Sequence, residues 1–299
     1  MKRLIPIMTI LILMSQQAEA RLNILACEPE WAALAQELGG DLVKISSATT
    51  AYQDPHYIQA RPSLQAKARK ADLLVCTGSE LEQGWLPILQ RSSGNPKIQN
   101  GRPGYFMASD YVHLLGRPTE VDRSEGDIHA GGNPHIQTDP RKILLVARAL
   151  LSSLIKLDPD NAAVYEERLQ QFSERWEKAI KDWEALALPL KGQRVIVHHQ
   201  RWIYLEHWLG LEQVGTLEVK PGIPPSSGHL SRLLKQMEAE PAALIIYASY
   251  QDRRAADWLS TRTGIPAVEL PSTVGAGKEV DDLFALYDVT IRRMLEALR

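Results

Sequence analysis

Three histidines lie in settings that favour a transition-metal site. His56 follows Asp54-Pro55, His135 follows Asn133-Pro134, and His199 ends the apolar run that begins at Val195. The prolines fix the backbone before His56 and His135 and so help to aim each imidazole. Imidazole suits zinc, copper, nickel and iron better than magnesium or calcium. Taken alone, each histidine is more typical of a surface or hydrogen-bonded residue, and the three match no local metal motif.

The elements that would position these histidines form a repeating pattern of short apolar runs and helical segments, which predicts an α/β protein with parallel sheets. Strands are predicted at 22–27, 42–47, 73–76, 195–198, 212–217, 243–247 and 267–270, with a further one near 105–108. Helices are predicted at 30–38, 62–70, 80–90, 202–209, 230–239, 254–263 and 280–298. In open parallel sheets, ligands bind at the carboxyl ends of strands. His56 and His199 come after predicted strands, and His135 comes just before the helix start at Asp139-Pro140.

One long helix separates the two sets of βα units. It begins with the capping pair Asp158-Pro159 and extends to about Leu188, where Pro189 stops it. At 1.5 Å per residue, it would be on the order of 45 Å long. We interpret it as a rigid link between two lobes, although a helix packed within one domain is the alternative. The predicted organisation is an N-terminal lobe at 21–158, the linking helix at 159–188 and a C-terminal lobe at 189–299.

The first 20 residues resemble an export signal. Lys2 and Arg3 precede the apolar stretch 4–14, and Ala18-Glu19-Ala20 is a small-x-small cleavage site. The absence of a cysteine at that site predicts a periplasmic protein without a lipid anchor. The formal net charge of -2 argues against a nucleic-acid partner, because nucleic-acid binding needs a basic face.

The two cysteines, Cys27 and Cys76, each follow a short apolar run that is predicted to be a strand. The ends of two parallel strands can be neighbours, and an exported protein meets oxidising conditions. A disulfide and two buried free thiols are both compatible with this pattern. A metal site with thiolate ligands is less compatible with this pattern, since no CxxC spacing is present.

Motifs along nearly the whole mature chain resemble those of the ABC-transporter zinc- and manganese-binding solute receptors, the ZnuA/TroA-like family (cluster A-I). The matching segments are 54–56 with 61–63, 71–75 with 78–82, 133–135 with 139–140, 157–159, and His199 with Tyr204 and 209–211. The resemblance implies two βα lobes joined by one long helix, with a metal ion between them. It implies that His56, His135 and His199 are ligands and that the partner is a membrane permease.

The fourth ligand is where this chain departs from the family. Members often supply an acid after the strand near 243–247 or after the strand near 267–270, but this chain has Ser249 and Pro271-Ser272 there. A water molecule or His129 would complete a tetrahedral zinc site. Glu269 and Gln251 are weaker candidates. The missing acid favours zinc over manganese, which prefers oxygen ligands. His198 would point away from His199 on a continuing strand, which favours a structural role.

We therefore predict a non-enzymatic, monomeric receptor that captures zinc, or alternatively manganese, and delivers it to a permease. A zinc hydrolase is the second hypothesis, because three histidines with one open position are also a catalytic zinc set. No HExxH, GxSxG or paired-carboxylate motif supports it. A receptor for haem or an iron chelate is the third hypothesis, and it would need a wider cleft with fewer converging histidines.

Overall fold

The computed structural model describes residues 21–118, 126 and 129–299, and the predicted export signal lies outside them. Its N-terminal part contains a parallel sheet of four strands in the order β2-β1-β3-β4. These strands are β1 (Leu22–Ala26), β2 (Val43–Ser47), β3 (Leu73–Cys76) and β4 (Tyr105–Met107). The intervening helices are α1 (Pro29–Gly39), α2 (Pro62–Lys70) and α3 (Leu86–Ser93).

The C-terminal part repeats this strand order with a second parallel sheet, β6-β5-β7-β8. Its strands are β5 (Arg194–Val197), β6 (Glu212–Thr216), β7 (Leu244–Ala248) and β8 (Ala267–Leu270). Its helices are α6 (Ile203–Leu209), α7 (Ser227–Ala239), α8 (Arg254–Thr263) and α9 (Leu283–Ala297). The predicted strands are confirmed to within about one residue at each end, because alternation of buried strands with capped helices is a strong local signal.

Two long helices connect the sheets. They are α4 (Pro140–Leu157), capped by the Asp139 side chain, and α5 (Ala162–Leu186), preceded by a short 3-10 turn. Helix α5 contacts α1 and α4 of the N-terminal part and α9 of the C-terminal part. It therefore links the lobes while also being packed against helices from both.

Aromatic side chains form the contact between the linking helix and the C-terminal helix. The Trp176 ring lies 4.7 Å from that of Phe284, and the Trp183 ring lies 5.0 Å from that of Tyr287, measured between centroids. Trp176 also donates a hydrogen bond to the carbonyl of Pro140. Aromatic pairs of this kind stabilise packing beyond the area that they bury, so they strengthen the contact between α5 and α9.

The predicted helix at 80–90 is wrong in its first half, since α3 begins only at Leu86. The buried Glu82 carboxylate accepts hydrogen bonds from the backbone N–H groups of Thr77 and Gly78. Ser79 and Glu80 have positive φ values of 47° and 68°, which an α-helix cannot contain. The first half of this segment therefore forms a turn stabilised by the Glu82 carboxylate, although its hydrophobic pattern is helical.

Cys27 and Cys76 form a disulfide. The two residues directly follow the neighbouring strands β1 and β3, whose register pairs Ala26 with Val75. The disulfide therefore joins the carboxyl ends of two strands in the N-terminal sheet. No described helix is both long enough and apolar enough to cross a membrane.

Candidate metal centre

His56, His135 and His199 meet between the two sheets. One ring nitrogen from each lies within 4.8 Å of the chosen nitrogens of the other two, and all three residues are buried. Their ring centroids are 5.5 to 5.9 Å apart. The loop after β2 carries His56, the segment before α4 carries His135, and the segment just after β5 carries His199. The structure thus brings together all three histidines that the sequence predicts as ligands.

The Asp54 carboxylate orients His56. One of its oxygens, Oδ1, lies 2.7 Å from His56 Nδ1 and also accepts the backbone N–H of His56 at 3.0 Å. Trp85 anchors the loop by donating to the Pro55 carbonyl. Burial alone would raise the pKa of Asp54, but its hydrogen bonds from His56 hold it below the ordinary value. An ionised Asp54 places the imidazole proton on Nδ1 and leaves the Nε2 lone pair free for a metal.

The Glu218 carboxylate has the same relation to His199 in the other lobe. Its Oε2 lies 2.8 Å from His199 Nδ1 and accepts the backbone N–H of Gly222 at 2.9 Å. Sequence analysis missed this residue. Glu218 closely follows β6, which is the strand next to β5, so an acid at the carboxyl end of a neighbouring strand was the signal that could have found it.

His135 is the most deeply buried of the three. It is 0% exposed, and neither ring nitrogen has a hydrogen-bond partner among the described residues. Burial, reinforced by the charge of Arg201, lowers its pKa well below the ordinary value. Its backbone N–H is held by the Asn133 side chain, which itself donates to the carbonyl of Gln200 in the other lobe. A buried, neutral imidazole without partners fits a divalent metal ion, which would use its lone pair.

His129 approaches the same centre from the first lobe. Its Nε2 lies 3.3 Å from the Nε2 of His56, and it is itself buried. Two nitrogens bound to one tetrahedral zinc ion at ordinary bond lengths are separated by about 3.3 Å. The geometry is therefore compatible with a shared ion as well as with a direct hydrogen bond.

The two serines at the positions of the family acids are engaged in another contact. Ser249 Oγ and Ser272 Oγ both donate to the carbonyl of Ala51, at 3.1 and 2.9 Å, and so connect the lobes. The two weaker candidates also have other partners. Gln251 accepts the backbone N–H of Ala248, and Glu269 lies beside Arg293.

The centre opens into a cavity of about 250 Å³. Its walls include Asp54, His56, His199, Glu218 and Tyr250, so they combine residues of both lobes. The convergence of histidines on one point disfavours a haem or iron-chelate receptor. Cys27, Cys76 and Glu82 also cluster, but the disulfide removes the thiolates that would bind a metal.

Comparisons with known proteins agree with this architecture. The family model for the periplasmic zinc-uptake complex component A, ZnuA, matches residues 24–297. The manganese ABC transporter substrate-binding lipoprotein PsaA of Streptococcus pneumoniae is 23% identical, over 95% of this chain and 91% of its own length. The high-affinity zinc uptake protein ZnuA of Bacillus subtilis is 24% identical, over 82% and 76%. The iron ABC transporter lipoprotein MtsA of Streptococcus pyogenes serotype M1 is 22% identical, over 93% and 89%.

Solved structures show the same fold. A crystal structure of ZnuA superimposes with a TM-score of 0.76 at 22% identity, covering 92% of this chain and 99% of that one. A manganese-bound periplasmic metal-binding protein from Candidatus Liberibacter asiaticus superimposes with a TM-score of 0.75 at 18% identity, covering 94% and 100%. The predicted two-lobed α/β fold is thereby confirmed. The prediction that the protein is a receptor and not an enzyme is also confirmed. Such receptors work outside the cytoplasm with a membrane permease. The chain belongs to the ZnuA family of metal-binding, solute-binding receptors of ABC importers.

Proposed function

We propose that this receptor captures zinc through His56, His135 and His199, with His129 or a water molecule in the fourth position. The observation that carries this proposal is the convergence of three buried imidazoles on one point between the lobes. Two of them have Nδ1 beside a carboxylate, which directs Nε2 toward the ion. The third has no competing hydrogen bond at either nitrogen.

The all-nitrogen set of ligands supports zinc over manganese. Manganese favours oxygen donors, but the nearest carboxylates, Asp54 and Glu218, are already bonded to the histidines that they orient. At the two positions where family members often have an acid, this chain has Ser249 and Ser272. Their hydroxyls donate hydrogen bonds to the Ala51 carbonyl, so neither position offers a free carboxylate. The relatives are named for manganese, zinc and iron, so the choice of zinc rests on these ligands alone.

His129 is the side-chain candidate for the fourth position, with a water molecule as the alternative. The 3.3 Å between its Nε2 and that of His56 matches the separation of two ligands on one zinc ion. We further propose that the protein acts as a periplasmic monomer, with residues 1–20 as its export signal. Acid releases the metal, since protonated imidazole cannot bind it.

Equilibrium titration of the metal-free protein with Zn²⁺ and Mn²⁺, each in competition with a chelator, tests the proposal. We expect one tightly held Zn²⁺ and weaker binding of Mn²⁺. His135→Ala should weaken the tight site more than about 100-fold, beyond the range for residues that only orient a ligand. His113→Ala, which changes an exposed histidine, is the control. Unchanged affinity in His135→Ala would refute the site, whereas tighter Mn²⁺ binding would refute only the choice of metal.

His129→Ala separates the two versions of the fourth ligand. If His129 binds the ion, its removal should weaken Zn²⁺ binding and lower the number of imidazole rings that the outer-shell scattering in the X-ray absorption spectrum reports. An unchanged spectrum would assign the fourth position to water and leave the three-histidine centre intact.

A further inference from the structure

The segment 77–85, between β3 and α3, supports the loop that carries His56. The Trp85 indole donates a hydrogen bond at 2.8 Å to the carbonyl of Pro55, which directly precedes His56. A Cβ atom at Gly84 would lie 3.2 Å from the His56 carbonyl oxygen, so the two backbones pack closely. This end of the segment therefore limits how far the His56 loop can move.

The other end of the segment holds the residues that follow His129. The Glu80 carboxylate accepts the N–H of Ala130 at 2.6 Å. The Ser79 hydroxyl donates to the Gly132 carbonyl at 2.7 Å. The N–H of Gly132 also closes a turn on the His129 carbonyl at 3.1 Å. Two adjacent side chains thus fix the turn that begins at His129.

The backbone of Ser79 and Glu80 is unfavourable for both residues. Their φ values of 47° and 68° are the only positive ones of non-glycine residues in the described part of the chain. The buried Glu82 carboxylate maintains this conformation by accepting two backbone N–H groups at the start of the segment. A strained backbone of this kind persists where the surroundings fix it, and it is typical of functional sites. Here it places both side chains against the turn that begins at His129.

We propose that Ser79 and Glu80 are positioning residues that keep His129 at the metal ion. The His129 Nε2 lies 3.3 Å from the His56 Nε2, and segment 77–85 contacts the chain beside both residues. The segment therefore sets the spacing of these two imidazoles before an ion binds. The inference rests on the proposed function for the three central histidines, and it assigns the fourth position to His129.

The same two residues determine how strongly the centre prefers zinc to manganese. A fourth imidazole suits zinc, whereas manganese prefers oxygen donors. When the turn is no longer held, His129 leaves the ion and a water oxygen takes its place. That exchange costs zinc more than manganese, so loss of the Glu80 carboxylate should lower the ratio of the two affinities.

Competition titration of the metal-free full chain with Zn²⁺ and Mn²⁺ tests the role of Glu80. Glu80→Ala should lower Zn²⁺ affinity about 10-fold, at the lower end of the range for groups that orient a ligand. Mn²⁺ affinity should fall less. Glu80→Gln retains an oxygen acceptor for the Ala130 N–H and should bind both ions nearly as the wild type does. Gln83→Ala, which changes an exposed side chain of the same segment, is the matched control.

X-ray absorption of the Zn²⁺-bound protein separates positioning from a general loss of stability. The outer-shell scattering should report four imidazole rings in the wild type and in Glu80→Gln, but three in Glu80→Ala. Ser79→Gly is a second variant, because glycine adopts a positive φ without strain and only the hydroxyl is lost. Its affinity for Zn²⁺ should also fall, by a smaller factor than in Glu80→Ala.

The positioning role is overturned if Glu80→Ala keeps wild-type Zn²⁺ affinity, or if the wild type itself shows only three imidazole rings. An equal fall in Zn²⁺ and Mn²⁺ affinity would overturn the role in metal preference. His135→Ala distinguishes these failures from that of the proposed function. If His135→Ala loses tight Zn²⁺ binding while Glu80→Ala behaves as the wild type, only the positioning role is wrong.

Discussion

The two halves of the cleft contribute differently to the metal centre. Of the histidines proposed to bind the metal, the N-terminal half contains His56, His135 and the candidate fourth ligand His129. The C-terminal half supplies His199, together with two serine hydroxyls that bond to the Ala51 carbonyl across the cleft. Under the proposed ligand set, the N-terminal half contributes more of the ligands, while the C-terminal half contributes one ligand and the contacts that connect the lobes.

The two halves also differ in how they are held rigid. The N-terminal sheet is cross-linked by the Cys27–Cys76 disulfide at the ends of β1 and β3. The C-terminal sheet has no cysteine, and its part of the site depends on hydrogen bonds around Glu218 and Arg201. We therefore expect loss of the disulfide in the N-terminal half and loss of hydrogen bonds in the C-terminal half to have effects of different size.

The largest expected effect is on the stability of the N-terminal half. The double substitution Cys27→Ser/Cys76→Ser removes a cross-link between residues 49 apart in sequence. In the chain-entropy model, a loop of this length contributes about 4 kcal/mol to the free energy of unfolding. Urea denaturation of the metal-free protein should show this loss. Zn²⁺ affinity should fall far less than in His135→Ala, because neither cysteine is a ligand.

A reducing agent provides the control for the disulfide variant. It should destabilise the wild type to a similar extent and leave the double variant unchanged, since the variant has no disulfide to reduce. Equal free energies of unfolding of the oxidised and reduced wild type would mean that the disulfide does not stabilise this half.

The sequence predicted the strands well, because each is a short apolar run bounded by helix caps or turns. It predicted the three central histidines through their positions after strands or before a helix start and through the family resemblance. It did not decide the state of Cys27 and Cys76, since that depends on β1 and β3 being neighbours. Nor did it predict that Ser249 and Ser272 both contact Ala51, because such contacts depend on how the lobes pack.

The carboxylates that orient His56 and His199 should have equivalent roles in the two halves. Asp54→Ala and Glu218→Ala should each lower the affinity of the tight site by about 10- to 100-fold, because the imidazole loses the partner that fixes its tautomer and direction. Competition titration with Zn²⁺ measures both. Asp54→Asn retains an acceptor for the His56 N–H groups and should lose less. If only one alanine variant weakened binding, the carboxylates would not have equivalent roles in the two halves.

Glu30 makes a pH-dependent contact between the halves. Its carboxylate accepts a hydrogen bond from Thr273, and burial raises its pKa to about 6 from the ordinary 4.5. The folded state therefore binds its proton more tightly than the unfolded state does. This contribution to stability is fully present below pH 4.5 and is lost as pH rises through 6. The loss should be on the order of 2 kcal/mol.

The free energy of unfolding of metal-free Glu30→Gln, measured across this pH range, tests the effect of Glu30. The wild type should lose stability relative to the variant as pH rises, since glutamine does not ionise. Glu238→Gln, which changes an exposed acid, should follow the wild-type curve. Parallel curves for Glu30→Gln and the wild type would show that Glu30 has the same pKa in the folded and unfolded states.

The smallest expected effect is that of removing the hydroxyls of Ser249 and Ser272. It tests most directly whether the C-terminal half mainly holds the lobes together. Ser249→Ala/Ser272→Ala removes both hydrogen bonds to Ala51, each contributing about 1 kcal/mol. If these hydroxyls only hold the lobes together, Zn²⁺ should dissociate faster while its equilibrium affinity falls much less than in His135→Ala. Stopped-flow transfer of Zn²⁺ to a chelator measures the dissociation rate. A loss of affinity as large as that of His135→Ala would instead make a serine a ligand, and the C-terminal half would then contribute directly to metal binding.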